Sequence, residues 1–126
     1  MNFRRYHLDS NVLLRFFTGT PPGMFAAASK LLAEAERGEV VLELSPLVLA
    51  ETAFTLDSFY QRPRKETARA LREFLRRADV RVAEKERMIE ALKRVEDTGV
   101  HLVDAYLVSG RKLPLFKRPL ECSPNI

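Results

Sequence analysis

The spacing of apolar residues changes several times along the chain, and each change marks an element. Tyr6, His7 and Leu8 form a short extended run that ends at Asp9. Asp9, Ser10 and Asn11 are all good helix caps, and residues 12–17 read as a short helix. Gly19, Pro21, Pro22 and Gly23 break the chain. Residues 24–37 are alanine-rich, with Phe25, Ala28, Leu31, Leu32 and Ala35 at helical spacing and Gly38 in the place of a C-terminal cap. Residues 40–44 are aliphatic and read as a buried strand. Ser45 and Pro46 open a helix that runs to about Tyr60, and residues 62–78 form another with Ala68, Leu71, Phe74 and Leu75 as its stripe. Residues 80–82 read as a strand and residues 84–97 as an amphipathic helix ended by Gly99. Residues 100–109 look helical, and residues 113–116 read as a last strand. Strands alternating with helices predict an α/β protein with a parallel sheet.

Composition narrows the classes. The chain has 126 residues, 46% of them hydrophobic, which is one domain with room for a core. The lone Cys122 cannot form an internal disulfide, and with two histidines it cannot build a structural zinc site. A reducing, cytoplasmic setting fits that usage. No apolar run reaches the length of a signal peptide or the ~20 residues of a membrane helix.

The net charge is +4, from 15 Arg and 6 Lys against 12 Glu and 5 Asp. Residues 62–77 alone carry seven bases and two acids. Arg62, Arg69, Arg72 and Arg76 fall largely on one face there, and Arg15 adds charge near the start. These are candidates for phosphate contact, since a basic face suits a polyanion. The alternative is a solvated, arginine-rich helix. No base-reading pattern is present. His7 and His101 read as packing or loop residues, and the aromatic residues Phe16, Phe17, Phe54, Phe59 and Tyr60 as core or partner surface.

Three acids stand out because their neighbours are apolar. Asp9 ends the first strand and starts a helix, which is where open α/β sheets place their sites. Read more simply, it is an N-cap. Glu51 lies in Leu47-Val48-Leu49-Ala50-Glu51-Thr52-Ala53-Phe54, a stretch apolar enough to predict burial on most sides. Asp104 lies in a similar run from Val100 to Val108. Either acid can instead occupy a solvent-facing stripe. Together, three carboxylates suit a magnesium-type ion, which takes hard oxygen ligands and keeps several waters. Glu34, Glu36, Glu39, Glu66, Glu73, Glu84, Glu86, Glu90 and Glu96, among further charges, read as solvated faces and ion pairs.

At these three places the chain resembles the PIN domain family. Leu8-Asp9-Ser10-Asn11-Val12-Leu13-Leu14-Arg15 resembles the family's opening motif, Pro46-Leu47-Val48-Leu49-Ala50-Glu51 its second acidic motif, and Val103-Asp104-Ala105-Tyr106-Leu107 its third. The resemblance spans roughly residues 6–116 and implies a three-layer α/β/α sandwich with a short parallel sheet. It implies a PIN-like domain over residues 1–116 and an atypical tail over residues 117–126. It also implies a Mg²⁺- or Mn²⁺-dependent endoribonuclease, of the kind found in VapC-type toxins held by a small antitoxin and often dimeric. By the match, Asp9 and Asp104 are metal ligands and catalytic together with Glu51, while Ser10 and Asn11 support Asp9. One departure stands out. The family usually has a fourth acid after the last strand, where this chain has Lys117, Arg118 and Pro119, with Glu121 the nearest substitute. That exchange weakens cation binding by charge. It leaves two rival readings: a degenerate PIN domain that binds RNA or an antitoxin without cutting, and an unrelated α/β protein whose acids are caps and surface residues.

Overall fold

The computed structural model describes residues 4–19 and 22–110. Its elements follow the order β1 (Arg4–His7), α1 (Ser10–Thr18), α2 (Pro22–Glu36), β2 (Val40–Leu44), α3 (Pro46–Ser58), α4 (Arg64–Leu75), β3 (Val80–Val82), α5 (Lys85–Thr98) and α6 (Leu102–Val108). This is the mixed α/β class with a short parallel sheet that the sequence predicts, with element ends shifted by a few residues. The predicted strand at 113–116, Glu121 and the tail from residue 117 lie outside the described residues.

The three strands lie in consecutive order, β1-β2-β3, all parallel. Crossovers between parallel strands are right-handed in nearly all proteins. Two such crossovers taken in the same direction deliver α1–α2 and α3–α4 to one face of the sheet. Burial agrees with that placement. Val40, Leu42 and Leu44 of β2 are buried along with Val80, and they join one core with Leu13, Leu32, Leu49, Leu71 and Leu75. The other face carries Arg5, His7, Val41, Glu43 and Arg81, all half-buried or exposed. No helix covers that face among the described residues. Helix α5 packs on α4, α6 on α5, and α3 touches α1, α4 and α6.

Local chemistry sets the element ends. The Ser45 hydroxyl accepts from the Val48 N–H at 3.1 Å, and Pro46 follows at the first turn of α3. Gly38 takes φ 81° after α2 and Gly99 takes φ 80° after α5, a conformation in which only glycine is free of Cβ strain. Helix α4 stops short of the predicted residue 78 because the chain turns at Arg76–Arg77. There the Arg77 guanidinium donates to both carboxylate oxygens of Asp79 and to the Leu32 carbonyl. Lys85 donates to the Arg77 and Val80 carbonyls, and its partial burial lowers its pKa.

Leu42 is fully buried on the central strand. Leu42→Ala is expected to cost about 2–5 kcal/mol, the range for emptying a core leucine site. A urea titration followed by circular dichroism measures it; an unchanged midpoint would show that the sheet is not packed as described.

Candidate active site

Asp9 sits just beyond the end of β1, Glu51 in the middle of α3 and Asp104 in the first turn of α6. Leu8 is buried just beyond β1, and its N–H bonds the Glu43 carbonyl at 2.8 Å. That fixes where the chain leaves the sheet. Asp9 follows with extended backbone (φ −101°, ψ 174°) and caps α1: its Oδ1 accepts from the Val12 N–H at 3.0 Å. Asp9 is exposed, Ser10 is buried, and Asn11 faces solvent.

The predicted burial of α3 on most sides is not what the structure gives. Leu49, Thr52 and Leu56 form its buried face. Leu47 is 80% exposed and Phe54 66%, and Glu51 lies exposed between them. The reason is geometric: positions 47, 51 and 54 share one face of a helix. That face is turned away from the core. Helix α6 repeats the pattern. Leu102 and Ala105 point inward, while Val103 and Leu107 are exposed beside an exposed Asp104. The acids are therefore set among apolar side chains, as the sequence indicates, but on open surface.

Helix α3 touches both α1 and α6, so the three acid-bearing helices are neighbours. The side chains do not close into a cage. Among the described residues, no group of three or more His, Cys, Asp or Glu side chains is placed to hold a metal ion. The donor set still has the right chemistry for a hard cation at an open, watery site. A magnesium ion commonly takes one or two carboxylates and keeps its waters, and Asp9 commits only Oδ1 to the helix.

The five candidate phosphate-binding arginines divide. Arg69 Nε donates to Glu96 at 3.0 Å, and Arg72 makes a close bond to the other oxygen of the same carboxylate. These bonds pull the Glu96 carboxyl below its ordinary pKa and clamp α4 to α5. Arg62 reaches the Phe17 carbonyl at 3.5 Å. Arg76 is exposed and Arg15 half-buried, and neither has an ion-pair partner among the described residues.

Of the core and surface placements open to His7, the structure gives the surface one. Its side chain is 82% exposed and its Nε2 lies 3.4 Å from Glu43, which also holds Arg5 at 3.6 Å. Glu43, the one acid in an aliphatic strand, has no role assigned from the sequence. The signal was there, since a charge at one position of a run of four aliphatic residues marks the uncovered face of a strand. His101 is an exposed loop residue just before α6.

The described part is a small α/β domain with a parallel sheet, an acid at the first strand's carboxyl end and two more on adjoining helices. The PIN domain family matches residues 6–109, and the chain belongs to it. PIN domains are typically nucleases acting on nucleic acid, and those nucleases generally use divalent metal ions. No curated protein and no solved structure matches the chain. No helix among the described residues is long and apolar enough to cross a membrane.

The Glu96 clamp has a pH signature. A carboxylate whose pKa is lowered by folding stabilises the fold above its unfolded value, about 4.3. That contribution is lost as the pH falls through the lower, folded value. Glu96→Gln is therefore expected to lower the urea midpoint at neutral pH. The gap from wild type should narrow on acidification below about pH 4. A gap independent of pH would show that Glu96 acts through packing rather than charge.

Proposed function

We propose that the chain is a divalent-metal-dependent endoribonuclease, the toxin of a cytoplasmic toxin–antitoxin pair that works as a homodimer. The observation that carries the reading is the family match, because residues 6–109 contain all three acidic motifs in order. Asp9 and Asp104 would hold Mg²⁺ or Mn²⁺, and Glu51 would orient a water beside it. When bound, such an ion supplies Lewis-acid polarisation of a phosphodiester and lowers the pKa of water. Ser10, which is buried, and Asn11, which faces solvent, would support the carboxylate that caps α1. Arg15, Arg62 and Arg76 are the cations left to meet RNA phosphates, with Arg69 and Arg72 contributing through the field of the α4 face.

A second reading, a PIN domain that binds RNA or an antitoxin without cutting, has its own support. Pro119 stands where the family has a fourth acid, and the described acids form no group of three or more.

Asp9→Asn separates the two. Asparagine keeps the N-cap, so the fold is retained, whereas Asp9→Ala costs about 1 kcal/mol of helix stability as well. Cleavage of a labelled RNA should rise with added Mn²⁺ for wild type and fall by at least about a hundredfold for Asp9→Asn, as expected when a ligand of the metal is lost. Equal cleavage by the two would remove Asp9 from the chemistry. No cleavage by either, with no Mn²⁺ binding in calorimetry, would favour the binding module.

A further inference from the structure

We propose that Arg87 is a positioning residue for Asp104, acting through helix α6, whose carboxyl-terminal half it holds against α5. The proposal rests on the nuclease reading, since that reading assigns the Asp104 carboxylate to the metal.

Helix α6 needs a hold from outside. It has seven residues, and a helix that short has little stability of its own. His101 at its start makes no side-chain capping bond, and its buried residues are Leu102 and Ala105. The polar hold comes from α5. Arg87, Glu90 and Arg94 follow one another at spacings of three and four residues, which puts them on one face of that helix. The Arg87 Nε donates to the Tyr106 carbonyl at 2.9 Å, and the Arg94 Nε donates to the Ser109 hydroxyl at 3.0 Å. The Glu90 carboxylate accepts from the Gly110 N–H at 3.2 Å. All three grip residues 106–110.

Arg87 makes the most varied of these contacts. Its guanidinium carbon lies over the Tyr106 ring, 4.0 Å from the centroid, in a cation–π arrangement. A cation beside the last carbonyls of a helix also opposes the negative end of its dipole. The Arg87 stem meets Gly110, where a Cβ would lie 2.9 Å from Arg87 Cγ, closer than packed carbons come. Glycine at 110 is what admits the side chain. Arg87 is also paired with Glu84 at 3.1 Å, and its side chain is 22% exposed. It is placed to hold a helix rather than to meet a polyanion.

Tyr106 lies two residues beyond Asp104, and side chains at that spacing do not share a helix face. Arg87 therefore acts on Asp104 by fixing the rotation and axial position of the helix that carries it. Small errors of that kind matter, since a displacement of about 1 Å can cost about a hundredfold in rate.

Arg87→Met keeps the stem and removes the guanidinium. Hydrogen exchange at the Ala105 and Ser109 amides, which bond the His101 and Ala105 carbonyls, reads α6 without metal. Calorimetry with Mn²⁺ reads the site. At a temperature where urea titrations show both proteins folded, the two amides should exchange faster in the variant. Mn²⁺ should bind at least about tenfold more weakly, as when an outer support of a metal ligand is lost. Arg77→Met is the control. It removes an arginine bonded to Asp79 and the Leu32 carbonyl, away from α6, and should lower the urea midpoint while leaving Mn²⁺ affinity unchanged.

Unchanged exchange in α6 would overturn the proposal. Faster exchange with unchanged Mn²⁺ affinity would overturn it too, and make Arg87 a residue of stability alone. A raised KM for RNA with unchanged Mn²⁺ affinity would make it a phosphate contact instead. An equal loss of Mn²⁺ affinity in Arg77→Met would trace the effect to general destabilisation. Those four results leave the nuclease reading standing, whereas a wild type that binds no Mn²⁺ would overturn that reading and this role together.

Discussion

The order of three parallel strands governs this molecule. Because β1, β2 and β3 follow one another across the sheet, both right-handed crossovers return over the same face. Among the described residues, one side of the sheet then supplies the core, through residues 40, 42, 44 and 80. The opposite side carries Arg5, His7, Glu43 and Arg81. Among the described strands, β2 is the central one, and its burial alternates, whereas the four residues of β1 are all exposed.

The helical layer is held by charge as well as by packing. Arg64 binds the Asp57 carboxylate and the Gly99 carbonyl, joining α3, α4 and the end of α5. Arg69 and Arg72 share Glu96, and Arg77 links Asp79 with the Leu32 carbonyl. Much of the arginine content of residues 62–77 is thus engaged inside the domain. A count of seven bases and two acids overstates the field a polyanion would meet there, because the neutralising carboxylates lie on other elements.

This explains what was legible in the sequence and what was not. The elements were readable because each depends on neighbours in the chain: Ser45–Pro46 starts α3, Gly99 ends α5, and the Asp9 cap starts α1. The three acids were readable as motifs for the same reason. Which face each helix would turn outward was not. In α3 the residues 47, 51 and 54 are two large apolar side chains with one acid, and 49, 52 and 56 are two with one threonine, so a single position distinguishes the faces. The choice between the faces is made by α1, α4 and α6, which pack on one of them. The partners of Arg69 and Arg72 lie 27 and 24 residues away, and the openness of the Glu43 face follows from strand order. Periodicity carries none of that information.

The end of β1 is where the sheet and the helical layer meet. His7 pairs with Glu43 in the ladder and the Leu8 N–H bonds the Glu43 carbonyl, so the chain leaves the sheet at a fixed register. Asp9 follows at once and caps α1 through the Val12 N–H. One carboxylate therefore starts a helix and stands at the carboxyl end of a strand. The helix it starts packs on α3, which carries Glu51 and in turn touches α6, which carries Asp104. The cap that reads as local chemistry is in this way also the link by which the strand sets the position of the first acid relative to the helices that bear the other two.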